Sequence, residues 1–232
     1  MTKKVRHDMM IIELSVIELS VMGGESMAVA DRSIDPRILE SAKREFLEKG
    51  YENASLKAIC AGAGITTGAL YKRYKGKEEL FGTLVEPVVN DLNEILIQKR
   101  SIEVTDLPDA KLIRAWDMDE EYMLWWFEFL EVRRDGFILL LRCAEGTAWS
   151  NFQHDWVEKM TNATGIWLHE AQRRGLADAD MGDKELHALL SAFWATIYEP
   201  FIHDFSRDML RAYCKRVCRL FNWYGAMGFS RP

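Results

Sequence analysis

Between Asn53 and Lys77 the chain carries five cations, Lys57, Lys72, Arg73, Lys75 and Lys77, and no carboxylate. Tyr71 and Tyr74 are interleaved with them, and Ser55 and Thr66 place hydroxyls at the starts of two short apolar runs. Lysine offers charge to a phosphate and tyrosine a directed hydrogen bond, so this combination suits contact with a phosphate backbone. Thr67, Gly68 and Ala69 are small enough to let a backbone come close to base edges in a groove, where bulkier side chains would hold it away.

Those residues need helices to hold them. Asp35-Pro36 is a start signal, and Ile38, Leu39, Ala42 and Phe46 then share one helical face as far as the stop at Gly50. Ser55 caps a second short helix with Leu56, Ile59 and Cys60 on its apolar side, ending at Gly62-Ala63-Gly64, where glycine can take the left-handed turn. Ile65 is a candidate buried plug, and Thr66 caps a third helix running to about Tyr74. Two short helices joined by a glycine-containing turn form a helix-turn-helix.

Other chemistry is less well supported. GAGITTG at 62–68 has Thr67 where the third glycine of a dinucleotide loop belongs, and a helix precedes it where a strand is required. Cys214 and Cys218 share a helix face four residues apart, but no histidine or further cysteine stands at ligand spacing, so buried structural thiols are expected and no metal or cofactor. His7, His154, His169, His187 and His203 form no recognisable pair with a nucleophile, and no enzyme is expected. Four scattered cysteines form no disulfide framework and point to a reducing, cytoplasmic setting. Glu13 and Glu18 interrupt the longest apolar stretch, so no membrane span is expected.

The run FLEKGYENASLKAICAGAGITTGALYKRYKGKEELF, residues 46–81, resembles the DNA-binding domain of the TetR family of bacterial transcriptional regulators. Phe46, Gly50-Tyr51, Ser55, Ile59, Ala63-Gly64-Ile65, Gly68, Leu70-Tyr71, Lys77 and Leu80 carry the likeness. Three positions depart from the pattern. Tyr74 replaces the usual phenylalanine, Cys60 a common alanine, and Gly76 a common serine, which removes a side-chain cap for the next helix. The resemblance implies that Thr66, Thr67, Gly68 and Ala69 line the DNA-reading end of the recognition helix, and that Tyr71 and Lys77 clamp phosphates. Ser55, Lys57, Lys72 and Tyr74 are further contact candidates. Several also have a plainer reading: Ser55 and Thr66 as caps alone, Lys72 and Arg73 as a solvated face, Tyr74 as core filling.

The whole chain, 232 residues with a formal charge of −6, argues against a nucleic-acid binder, but that average conceals a division. Residues 32–82 hold ten cations and seven carboxylates, whereas residues 83–232 carry a net −7. The expected fold is all-α: a helix-turn-helix domain at 33–82 and a helical effector-binding and dimerisation domain at 83–232. Apolar-periodic stretches fall at about 84–99, 119–132, 135–145, 148–174, 184–204 and 207–228, with Pro87 placed to kink the first. Residues 1–32, with IELSV twice in tandem, read as a separate extension, either disordered or produced by an upstream start codon; Ala28-Val29-Ala30 imitates a cleavage site behind an apolar run.

All eight tryptophans lie in the second part. Trp126, Phe129, Arg142, Trp149, Phe152, Trp156, Trp167 and Trp194, with His154 and Tyr198 as polar groups, are candidates for an effector pocket, against the plainer reading that such aromatics are core. Phe193, Trp194, Ile197, Phe201, Leu210, Tyr213, Val217, Leu220 and Phe221 give residues 184–228 an apolar surface suited to a homodimer. The functional expectation is a ligand-responsive regulator, in this family most often a repressor, bound to an inverted-repeat DNA operator and released by a small-molecule effector. The rival is a helical sensing or carrier module acting through protein partners without DNA.

Overall fold

The computed structural model describes residues 34–178 and 180–229, and the extension at 1–32 lies outside them. The described residues form helices joined by short turns, without strands. The chain runs α1 (Ile34–Asn53), α2 (Leu56–Ala63), α3 (Thr67–Tyr71), α4 (Lys77–Ser101), a 3-10 turn at Val104–Asp106 and α5 (Asp109–Arg114). It continues with α6 (Glu120–Glu131), α7 (Arg134–Arg142), α8 (Phe152–Arg173), α9 (Asp183–Ile202), α10 (Arg207–Leu220) and α11 (Trp223–Ala226).

The apolar face of α1 is the one its spacing predicts, with Ile38, Ala42 and Phe46 wholly buried. Burying a side chain such as Phe46 contributes about 1.5–3 kcal/mol. Gly50 breaks the helix with φ 72° and ψ 169°, so the chain turns without strain there, and Tyr51 folds back onto Phe46 and Phe81. Gly64, at φ 66°, ends α2 in the left-handed cap, and its N–H donates to Ala61 O. Gly62 is required for a different reason: a Cβ there would stand 2.3 Å from Ser41 Oγ, so its absence lets α2 lie tight against α1.

α4 is continuous from Lys77 through position 82, so the two units suggested by the sequence share one helix. Pro87 sits within it without ending it. Leu80, Phe81, Val85, Val88, Leu92 and Leu96 are buried along α4, which packs against α1, α7 and α8. At Gly136 a Cβ would lie 2.8 Å from Leu84 O, so glycine sets how closely α7 approaches α4. α8 and α9 pack along each other, and α10 packs on α6. The expected helix at 207–228 is two helices, since Phe221 and Asn222 leave helical geometry and the Asn222 side chain caps α11. The short α5 has no counterpart in the expected stretches, being too brief to register a helical period.

The apolar face assigned to a dimer requires correction. Phe193, Trp194, Ile197, Phe201, Leu210 and Val217 are each 7% exposed or less within a single chain and pack its own core, while Tyr213 and Phe221 are half-buried and Leu220, at 72% exposed, is the one residue of that face left largely free. Helical spacing reports that a face is apolar, and cannot say which neighbour covers it.

Candidate nucleic-acid interface

α3 has only five residues, too short to be stable by itself, and its position depends on neighbours. Leu70 anchors it, fully buried in the core, while Thr66, Thr67 and Gly68 at its amino end are exposed and Ala69 is half-buried. Thr66 Oγ1 accepts from Ala69 N at 3.2 Å and Ser55 Oγ from Ala58 N at 3.4 Å, so both are caps. Both are also exposed, and a capping hydroxyl keeps its own O–H free to donate. Tyr71 is 57% exposed, and Lys57 and Lys72 are exposed as well.

Three residues of the basic run and its tyrosines are held differently. The Arg73 guanidinium donates to Asp35 Oδ1 at 2.7 Å and is only 20% exposed, so it pins the end of α3 to the start of α1, which corrects its reading as a solvated charge. Lys77 Nζ donates to Glu52 O at 2.9 Å and Ala54 O at 3.2 Å, and lies 4.6 Å from the Tyr51 ring centroid. Its ammonium therefore fastens the α1–α2 junction. An ammonium has three donors, so one remains for a phosphate. Tyr74 is half-buried against the core, and burial, reinforced by Asp35, pushes its phenol above the usual range, which favours the core-filling reading. Gly76 supplies no side-chain cap to α4; Glu79 instead accepts the Lys75 N–H at 2.6 Å.

Behind the exposed surface stand residues that sequence patterning did not single out. Arg37 donates to the Ala63 carbonyl at the end of α2, and Ser41 Oγ donates to Ile59 O at 2.9 Å within it, both fastening α2 to α1. Glu45, buried on α1, accepts the Ser55 N–H at 3.1 Å and a bond from Lys49. These hold its carboxyl below the usual range, the Ser55 N–H more than Lys49. One signal was present: Ser41 and Glu45 are polar residues one turn apart beside the apolar face of α1.

The unit is tied to the rest of the chain around α7. Tyr51 N donates to Cys143 O at 3.0 Å, Lys43 pairs with Asp135 at 2.8 Å, and Phe81 meets Trp149 with centroids 6.0 Å apart.

The ten effector-pocket candidates fall into several groups of contacts. Trp126 and Phe129 cluster on α6 with Trp125 and Tyr122. Trp156, Trp194 and Tyr198 form another group with Phe137. Trp149 belongs to the contact with Phe81, Trp167 lies beneath Lys99, and Phe152 is buried. Arg142 and His154 are exposed, with His154 beside His187. Two surface crevices of about 370 and 530 Å³, one between Leu84, Pro87 and the 131–136 turn and the other along Asn90, Ile97 and Lys159, involve none of the ten. Burial pushes the Cys214 and Cys218 thiols up to about 11, away from the thiolate that metal binding or redox chemistry requires. No described helix is long and apolar enough to cross a membrane.

Known proteins share this geometry. Residues 38–84 match the profile described as bacterial regulatory proteins, tetR family. The HTH-type transcriptional repressor AcnR of Corynebacterium efficiens is 32% identical over 81 residues, which cover 34% of this chain and 43% of the repressor. The HTH-type transcriptional regulator UidR of Escherichia coli K12 is 41% identical over 49 residues, 21% of this chain and 25% of the regulator. The match thus spans less than half the length of these relatives. Among solved structures, a TetR-like transcriptional regulator from Rhodococcus sp. RHA1 superimposes with a TM-score of 0.54 over 86% of this chain and 98% of that one, at 21% identity. A member of the TetR transcriptional regulator family from Streptomyces coelicolor A3 does so with a TM-score of 0.53 over 91% and 97%, also at 21% identity. The likeness in sequence centres on the helix-turn-helix, where residues 38–84 match the tetR-family model, and the likeness in fold extends over most of the chain.

Proposed function

We propose that this chain is a ligand-responsive transcriptional regulator in the cytoplasm, acting as a homodimeric repressor on an inverted-repeat operator. Its reading unit is residues 33–82 and its sensing and dimerising unit residues 83–232. The observation that carries the reading is the exposed amino end of α3, where Thr66, Thr67 and Gly68 face solvent beside Tyr71 on a helix anchored by Leu70. Those side chains suit base edges, while Ser55, Lys57, Tyr71, Lys72 and the spare donor of Lys77 suit flanking phosphates. A −7 remainder gives little non-specific attraction, so binding leans on this small basic surface used twice.

The dimer face follows from what is left exposed. Ile166 of α8 is 41% exposed, and Ala188 and Ala192, one turn apart on α9, face solvent as well. Small residues on α9 let a partner helix come close, and Ile166 adds apolar area beside them. Twofold pairing of such a patch presents two recognition helices to half-sites about one helical turn of DNA apart. Effector binding shifts the population toward a spacing that no longer fits, transmitted where Cys143 O holds Tyr51 N and Trp149 meets Phe81. Gel shifts and footprinting on the DNA flanking the chain's own gene test the reading: salt-sensitive protection of an inverted repeat supports it, and binding without sequence preference at every salt concentration refutes it.

A further inference from the structure

Five indole N–H groups, those of Trp116, Trp126, Trp156, Trp194 and Trp223, are buried with no acceptor within reach. Buried donors are nearly always paired, so a group of orphans in one small protein calls for a cause. Two belong together: Trp156 on α8 and Trp194 on α9 have ring centroids 5.6 Å apart. Phe137 of α7 meets Trp194 at 5.9 Å, and half-buried Tyr198 meets it at 6.2 Å on the way to the surface.

We infer that the Trp156–Trp194 pair recognises an uncharged oxygen acceptor, the carbonyl of a ketone, lactone or amide, carried on an apolar ring body. This inference rests on the ligand-responsive reading and names the ligand class for it. A carbonyl oxygen has two lone pairs and can accept from both indoles, and aromatic walls suit an apolar body. Charge argues against the carboxylate alternative. The buried charged residues among those described are Glu45 and Glu170, so the pair has no buried cation to balance an anion. Arg134 lies over Phe201, which meets Phe137, but it is already paired with Glu131 and Asp204. Trp116 and Trp223 form a second orphan pair, with centroids 6.1 Å apart. Position favours the first. Its neighbour Phe137 is on α7, and Cys143, just past the end of that helix, holds Tyr51 N through its carbonyl, so an occupant there sits one helix away from the reading unit.

The test uses the full chain with 15N-labelled tryptophan and three probes of one shape: cyclohexanone, methylcyclohexane and cyclohexanecarboxylate. Cyclohexanone should move the indole N–H resonances of Trp156 and Trp194 downfield and leave those of Trp116 and Trp223 in place. Replacing Trp156 or Trp194 by 3-benzothienylalanine, which keeps the shape and lacks the N–H, should weaken binding about tenfold, and the same change at Trp223 should not. Tighter binding of the carboxylate, movement at Trp116 and Trp223 instead, or no movement at the pair up to the ketone's solubility overturns the inference. Operator binding is read separately. Release of DNA without change at either indole removes this site and leaves the regulator standing, whereas indole shifts with DNA retained keep the site and refute its regulatory role.

Discussion

At the scale of single residues, position decides which cations and hydroxyls are free to act. Thr67 and Tyr71 are exposed and their side chains make no bond that the fold depends on, so Thr67→Ala and Tyr71→Ala should each weaken operator binding by about 1–2 kcal/mol while leaving the melting temperature unchanged. Affinity measured at several salt concentrations, alongside thermal melts, checks this; unchanged affinity in both variants removes these residues from the interface. Lys77 behaves otherwise. Its ammonium holds two backbone carbonyls and lies over Tyr51, so Lys77→Met should cost about 1–2 kcal/mol of stability as well as DNA affinity. Urea denaturation gives the readout, and a variant of unchanged stability would make the phosphate clamp the residue's whole role. The types and spacing of these residues were legible in the sequence. That Arg73 is spent on Asp35 was not, because its partner stands 38 residues away.

At the scale of elements, the tight turn between α2 and α3 depends on how closely α2 lies on α1. Gly62→Ala would drive a methyl onto Ser41 Oγ and detach it from Ile59 O, leaving the buried Ser41 hydroxyl without its acceptor at about 1–3 kcal/mol. A double-mutant cycle with Ser41→Ala should be non-additive, because the second change removes the atom that the new methyl meets. Additive losses would show that Gly62 matters for some other reason. Caps and stops at Gly50, Ser55, Gly64 and Thr66 were readable because capping is local chemistry between residues two to four apart. After the end of α3 at Tyr71, Arg73 reaches Asp35, and at the break after α10 Phe221 meets Phe193, contacts that no local window contains.

At the scale of the whole molecule, two junctions join distant parts of the chain. Glu170, buried on α8, accepts from both Arg173 and Arg174, and Arg174 also donates to carbonyls at Val104, Thr105 and Leu107. The Arg173 and Arg174 guanidiniums hold the Glu170 carboxyl down to about 2 from an ordinary 4.5. A folded value below the unfolded one means the stabilisation is complete above the unfolded value and lost as pH falls toward the folded one. Melting temperature should therefore drop as pH falls from about 4.5 to about 2, and Glu170→Gln should flatten that slope; an unchanged slope would place the acid sensitivity elsewhere. At the other junction, Trp149→Ala removes the contact with Phe81. It should leave operator affinity near normal and blunt its response to effector, as titrations of the DNA complex with ligand would show.

The sequence by itself determined the helix-turn-helix: its caps, its left-handed turn, its acid-free basic run and its match to the tetR-family model at residues 38–84 all lie in residues close together along the chain. It also determined that the remainder is helical and rich in tryptophan. Only the tertiary structure decided how those aromatics are spent. A helical period marks a face as apolar but carries no information about its partner, so Phe193, Ile197 and Phe201 could equally have met another subunit, and the fold buries them at home. The ten pocket candidates separate into distinct groups for the same reason, and two of them, brought from α8 and α9 to within 5.6 Å, leave unpaired N–H groups that no spacing rule foretells.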